Sequence, residues 1–101
     1  MDRRISVSIR HVESPGSEPL SVIGEVWLGP LTEGDLFVVA TDERGEDRAI
    51  RAFVAGMTSD VGIHVDEAER GAAVKIVLSG DGLDTIRPGD LLLGERPAKD
   101  A

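Results

Sequence analysis

The sequence predicts an all-β domain, a small closed barrel of six to eight short strands, and three observations carry that prediction. Apolar residues recur with a period of two over most of the chain, the spacing of side chains on one face of a strand. Clusters of glycine, proline and aspartate interrupt these runs at short intervals. Helix formers gather only in Glu67-Ala68-Glu69-Arg70, which is good for at most one short turn before Gly71.

Taken in order, Ile5, Val7 and Ile9 alternate with Arg4, Ser6, Ser8 and Arg10, a strand with one wet face. Glu13 to Pro19 follows as a turn, because its prolines and Gly16 forbid continued pairing. Leu20, Val22, Val26 and Leu28 then share a face with Gly24, whose place inside a strand marks a bend or a close backbone approach. The continuous apolar run Leu36 to Ala40 predicts a strand buried on both sides. Arg44-Gly45-Glu46 sits in a hairpin loop within the charged stretch from Thr41 to Arg48. Alternation returns at Ile50, Ala52 and Val54, in a short set at Val61, Ile63 and Val65, and again at Ala72, Val74, Ile76 and Leu78. Leu91-Leu92-Leu93 is the last run. The barrel is therefore expected over residues 1–97, with 98–101 a short charged tail.

Composition narrows the chemistry. A chain of 101 residues exposes about 5,500 Å² when folded against about 15,500 Å² unfolded, enough burial for one core without staples. There is no cysteine, so disulfides, thiolate metal sites and cysteine nucleophiles are excluded. The N-terminus has no apolar h-region and no stretch is long enough to span a bilayer, so a cytoplasmic protein is expected. Nineteen acidic residues against 11 basic ones give a net charge of −8, which repels phosphate backbones and disfavours general nucleic-acid binding. A local contact would need clustered cations, for which Arg44, Arg48 and Arg51 are the candidates.

Two turns share a design. Leu31-Thr32-Glu33-Gly34-Asp35-Leu36 and Ile86-Arg87-Pro88-Gly89-Asp90-Leu91 both end in Gly-Asp-Leu and launch an apolar run; Glu69-Arg70-Gly71-Ala72 is a looser relative. Pro88-Gly89 predicts a type II turn, with proline setting φ at its second position and glycine taking positive φ at its third. Asp35 and Asp90 are expected to satisfy local amides, as is each aspartate of Asp81-Gly82-Leu83-Asp84, a turn rather than a calcium loop.

These segments resemble the β-barrel that follows the GTP-binding domain in elongation factor Tu and its relatives. Gly24-Glu25-Val26-Trp27-Leu28-Gly29, followed by Pro30 to Val38, is similar to one signature of that barrel. Val65 to Gly71, Val74 to Gly80 and Leu83 to Leu92 are similar to its later segment in order and spacing. The resemblance spans Ile5 to Pro97 and implies a closed barrel of the translation-protein type. In the family this barrel helps to bind the acceptor end of aminoacyl-tRNA or contacts the ribosome. The segment from Ala52 to Val65 departs from the family pattern, so no tRNA-contacting residue carries over. No Gly-x-x-x-x-Gly-Lys-Ser/Thr loop is present, which removes GTP hydrolysis.

The remaining constellations are sparse. His64 with Asp60, Asp66 and Glu67 makes a histidine–carboxylate set without a recognised metal spacing, and an exposed strand histidine is the preferred explanation. No serine sits in a nucleophile elbow, so neither catalysis nor a cofactor is expected. Trp27 falls opposite Val26 and Leu28 by parity, either an anchor for a partner or, the preferred alternative, part of a second buried layer. The expectation is a non-catalytic module docking on a protein or RNA partner, with Trp27, Arg44, Arg48, Arg51 and His64 as candidate contacts. The alternatives are a small-molecule or metal-binding barrel and a homo-oligomeric structural unit.

Overall fold

The structure, a computed structural model, describes residues 3–13, 15 and 18–96. The tail at 98–101, Pro97, and Ser14, Gly16 and Ser17 of the expected turn after Glu13 lie outside these residues. Among the described residues eight strands form: β1 Arg3–Glu13, β2 Leu20–Leu28, β3 Leu31–Thr32, β4 Leu36–Thr41, β5 Asp47–Thr58, β6 Glu67–Ala68, β7 Ala73–Asp81 and β8 Leu91–Arg96. Six of them close an antiparallel barrel in the order β1-β2-β7-β5-β4-β8, while β3 and β6 pair separately. Closure leaves none of those six strands with an open edge.

The interior is the alternation made solid. Ile5, Val7 and Ile9 from β1 meet Leu20, Val22 and Val26 from β2, Ala52 and Val54 from β5, and Ile76 and Leu78 from β7, all buried. We call the end where β2 and β5 finish the upper end. There the β3–β6 pair lowers Leu31 and Ala68 into the core. The lower end is stopped by Leu83, on a 3-10 turn spanning Leu83–Thr85, and by Ile86.

The three glycine turns repeat one backbone device. In Thr32–Asp35, Glu69–Ala72 and Arg87–Asp90 the fourth N–H donates to the first carbonyl at 3.2, 3.0 and 3.1 Å, with the third residue, glycine, at φ near +90°. These are type II turns, as Pro88-Gly89 predicted. Asp35 Oδ2 accepts from Thr32 N–H at 2.8 Å and Asp90 Oδ2 from Arg87 N–H at 2.9 Å, so both aspartates satisfy local amides. Each turn also grips one strand residue through two hydrogen bonds: Gly34 and Asp35 hold Val54, Gly71 and Ala72 hold Val26, Gly89 and Asp90 hold Ile9. The residue after each gripped one is extra in the register, at Ala55, Trp27 and Arg10. Such bulges bend a strand and turn the extra side chain off the regular alternation, as a tight barrel requires.

Several expectations change. The run Leu36 to Ala40 is not buried on both sides: Phe37 and Ala40 point inward, while Val38 is an exposed bulge residue and Val39 faces outward. Leu28 leaves the face of Val26 because the bulge at Trp27 shifts its parity. Val61 to Val65 is no strand; its period of two is imitated by a tight hairpin turn, Ser59–Ile63, with Gly62 at φ +85°. Glu67 to Arg70, which allowed at most one short helical turn, forms none, because pairing of β6 with β3 holds that backbone extended. At Gly82 the turn forms with φ +80°, yet no side chain caps the 3-10 segment, contrary to the role assigned to its aspartates.

Candidate functional site

The bulge in β2 decides the most prominent surface feature. It aims Trp27 outward, 49% exposed, and this corrects its assignment to a second buried layer. Trp27 and Leu28 form one wall of an open groove of about 500 Å³, with Leu91 and Leu93 on the other side and Glu25 and Arg70 at the rim. Its floor is Ser6, which points out of the barrel by alternation but is only 2% exposed. The register explains why. Ser6 lies directly between Leu28 of β2 and Leu93 of β8, and Leu93 in turn opposes Val39 of β4. Apolar side chains thus form an outer row across four strands, with a small hydroxyl beneath them. Glu25 is ion-paired with Arg10, the bulge residue of β1.

A second candidate lies at the lower end. Arg48 Nη2 donates to Asp90 Oδ2 at 2.5 Å and to the Thr85 carbonyl at 2.9 Å. The Asp90 side chain is only 4% exposed, so its charge is offset by Arg48 rather than by bulk water. Arg48, Arg44 and Arg87 line a shallow depression with Asp42, Glu43 and Thr85. Carboxylates interleave with the cations, so this is a braced corner rather than a cationic patch. Arg51 does not join it; its guanidinium lies on the barrel wall 5.4 Å from the Phe53 ring centroid. The expected trio of Arg44, Arg48 and Arg51 therefore divides between two surfaces. Parity along β5 separates Arg51 from Arg48, since up to Val54 the even-numbered residues turn inward and Arg51 faces out.

His64 is exposed as expected, but on a loop beside the Ser59–Ile63 turn and with a different set of neighbours. Its Nε2 lies 2.6 Å from Glu33 Oε1, and its Nδ1 lies 3.8 Å from Asp66 Oδ1. Glu33, His64 and Asp66 offer ligand atoms within 4.8 Å of one another; Asp60 and Glu67 are not part of the set. Glu33 was invisible as a neighbour in the sequence, because β3–β6 pairing alone brings its turn beside Asp66.

No protein-family model matches the chain, and no curated protein matches it in sequence. Among the described residues, no helix is long and apolar enough to cross a membrane.

Proposed function

We propose that this chain is a non-catalytic binding module, a barrel of the kind found as the second domain of elongation factor Tu, which docks a protein partner through the Trp27 groove. The observation that carries the proposal is the outward Trp27 against Leu28, Leu91 and Leu93. A large aromatic left half in water at the edge of an apolar groove is the chemistry of an interface anchor. Two further features support it. The interior is packed with side chains and both mouths are stopped, which directs docking to the outer wall. Among the described residues, Arg44, Arg48 and Arg87 are interleaved with Asp42 and Glu43 and Arg51 lies apart, which favours protein over RNA as the partner. The order of the glycine turns supports the translation-factor likeness.

Trp27 is the sole tryptophan and the chain has no tyrosine, so its emission reports on the groove alone. Pull-down from native cytoplasm with wild type and Trp27→Ala, followed by titration of each captured protein against Trp27 emission, is the test. A partner retained by wild type, lost by the variant and shifting the emission is expected. Equal capture by both proteins, with unmoved emission, would rule the groove out.

A second reading rests on the donor set of Glu33, His64 and Asp66, which suits a divalent cation of the zinc type. Thermal unfolding with and without zinc tests it: a rise abolished by His64→Ala is expected, and no rise removes the reading.

A further inference from the structure

Among the described residues, the most exposed large apolar side chains are on the Ser59–Ile63 hairpin: Val61 is 74% and Ile63 63% exposed. They flank Gly62 at the tip of a turn closed by Ser59 N–H to Ile63 carbonyl and Gly62 N–H to Ser59 carbonyl bonds. The tip is therefore a preformed apolar knob, which loses little conformational freedom on docking.

This knob and the groove stand at the same end of the barrel but on opposite walls. The knob extends β5, while the groove is centred on β1, and the two strands are three places apart in a cycle of six. One chain cannot place its own tip in its own groove. Their charges are complementary. The tip carries exposed Asp60, with exposed Asp66 on the loop that follows it; at the groove rim Glu25 is ion-paired with Arg10 and Arg70 is exposed, and exposed Arg4 lies two residues along from Ser6 on the same outer face. Resting on the groove reading above, we propose that the occupant of the Trp27 groove is the Ser59–Ile63 tip of a second copy of this chain. Val61 and Ile63 pack against Trp27 and Leu28, and the Asp60 and Asp66 carboxylates approach Arg4 and Arg70.

The contact is heterologous, because knob and groove are different surfaces. Each bound copy leaves one free knob and one free groove, so association extends to rings or short rows rather than stopping at two. Two side chains cover far less than the ~800 Å² per partner of a standard interface, so assembly is weak and rises with concentration.

Sedimentation of the full chain from micromolar to millimolar concentration, read together with Trp27 emission, tests the proposal. The wild type is expected to gain average mass and shift its emission to shorter wavelength as concentration rises. Val61→Asp with Ile63→Asp, and separately Trp27→Ala, are expected to stay monomeric. Mixing these two variants supplies one intact groove and one intact knob, and is expected to yield complexes limited to two copies. Circular dichroism confirms the fold of each variant, with Ile63→Ser as the milder replacement. A wild type that stays monomeric with unmoved emission overturns the proposal, as does association that survives loss of the knob. Failure of the mixed variants to pair, when the wild type associates, equally overturns it. A monomer whose Trp27 still governs capture of another protein refutes only self-association and leaves the groove reading standing.

Discussion

Strand β5 enters and leaves through two hairpin turns that share a backbone and differ in chemistry. At Asp42–Glu46 the Gly45 N–H donates to the Asp42 carbonyl at 2.9 Å and the Asp42 N–H to the Glu46 carbonyl at 2.9 Å. At Ser59–Ile63 the matching bonds, Gly62 to Ser59 and Ser59 to Ile63, measure 2.9 and 2.8 Å. Gly45 and Gly62 both take φ +85°. The first turn is polar throughout. Asp42 Oδ1 accepts from the Arg44 and Glu46 N–H groups, Glu43 and Arg44 face water, and Arg48 at its base is tied to Asp90. In the second turn Ser59 Oγ accepts a longer bond from Ile63 N–H at 3.2 Å, and Val61 and Ile63 lie bare. The polar turn shows that the geometry makes no demand for apolar residues. Val61 and Ile63 are thus not required by the turn geometry and lie exposed to water.

The comparison can be broken most forcefully at the bases of the two turns. Arg48→Ala leaves the nearly buried Asp90 carboxylate without its cation. Because Arg48 is itself partly solvated, the expected loss is about 2–3 kcal/mol, below the full cost of breaking a buried pair. His64→Ala, which removes an exposed pair with Glu33, is expected to cost under about 0.5 kcal/mol. Urea midpoints of the two variants measure the contrast, and equal losses would contradict it.

Gly45→Ala and Gly62→Ala force a side chain into left-handed backbone where nothing crowds the new methyl group. Each is expected to cost about 1 kcal/mol, and the two losses should agree within error. A large difference in thermal unfolding would show that the turns are not equivalent.

A third measurement separates the turns by pH. The Glu46 backbone N–H donates to Asp42 and, with Arg44 and Arg48 nearby, holds its carboxyl below the ordinary 3.8. A lowered folded value means that the carboxylate stabilises the fold above 3.8 and that this contribution fades as pH falls through the folded value. Asp42→Asn is expected to flatten the acid limb of the stability–pH curve in that window, followed by denaturant titration. Ser59→Ala, which carries no titrating group, should leave its shape unchanged.

The smallest expected effect is the most pointed. Val61→Ser with Ile63→Ser should alter stability by no more than about 0.5 kcal/mol, since both side chains already face water. A greater loss in chemical denaturation would mean that the knob belongs to the fold.

The candidate site was far less legible than the barrel. Nothing in the local pattern distinguishes Trp27 from its neighbours. Its exposure follows from the grip of Gly71 and Ala72 on Val26, a contact made by residues more than forty positions away. Arg10 and Ala55, the other bulge residues, likewise follow gripped residues, Ile9 held by Gly89 and Asp90 and Val54 held by Gly34 and Asp35. Val61 and Ile63 misled because alternation around a glycine looks alike in a strand and in a hairpin tip. Glu33 was missed beside His64 since only the β3–β6 pair joins their loops.

By itself, the sequence determined what depends on neighbouring residues. Period-two alternation specifies which face of a strand prefers the core, and Gly-Asp-Leu carries its turn within four residues. That much defined an all-β barrel, the glycine turns at Asp35 and Asp90, and the type II form of the one at Pro88-Gly89. Register, bulges and the choice between wall and surface depend on which strands meet, and strand partners are set by closure of the whole barrel. Only the tertiary structure could therefore turn Trp27 outward, divide Arg51 from Arg48, and set the Val61–Ile63 knob on the wall opposite the groove.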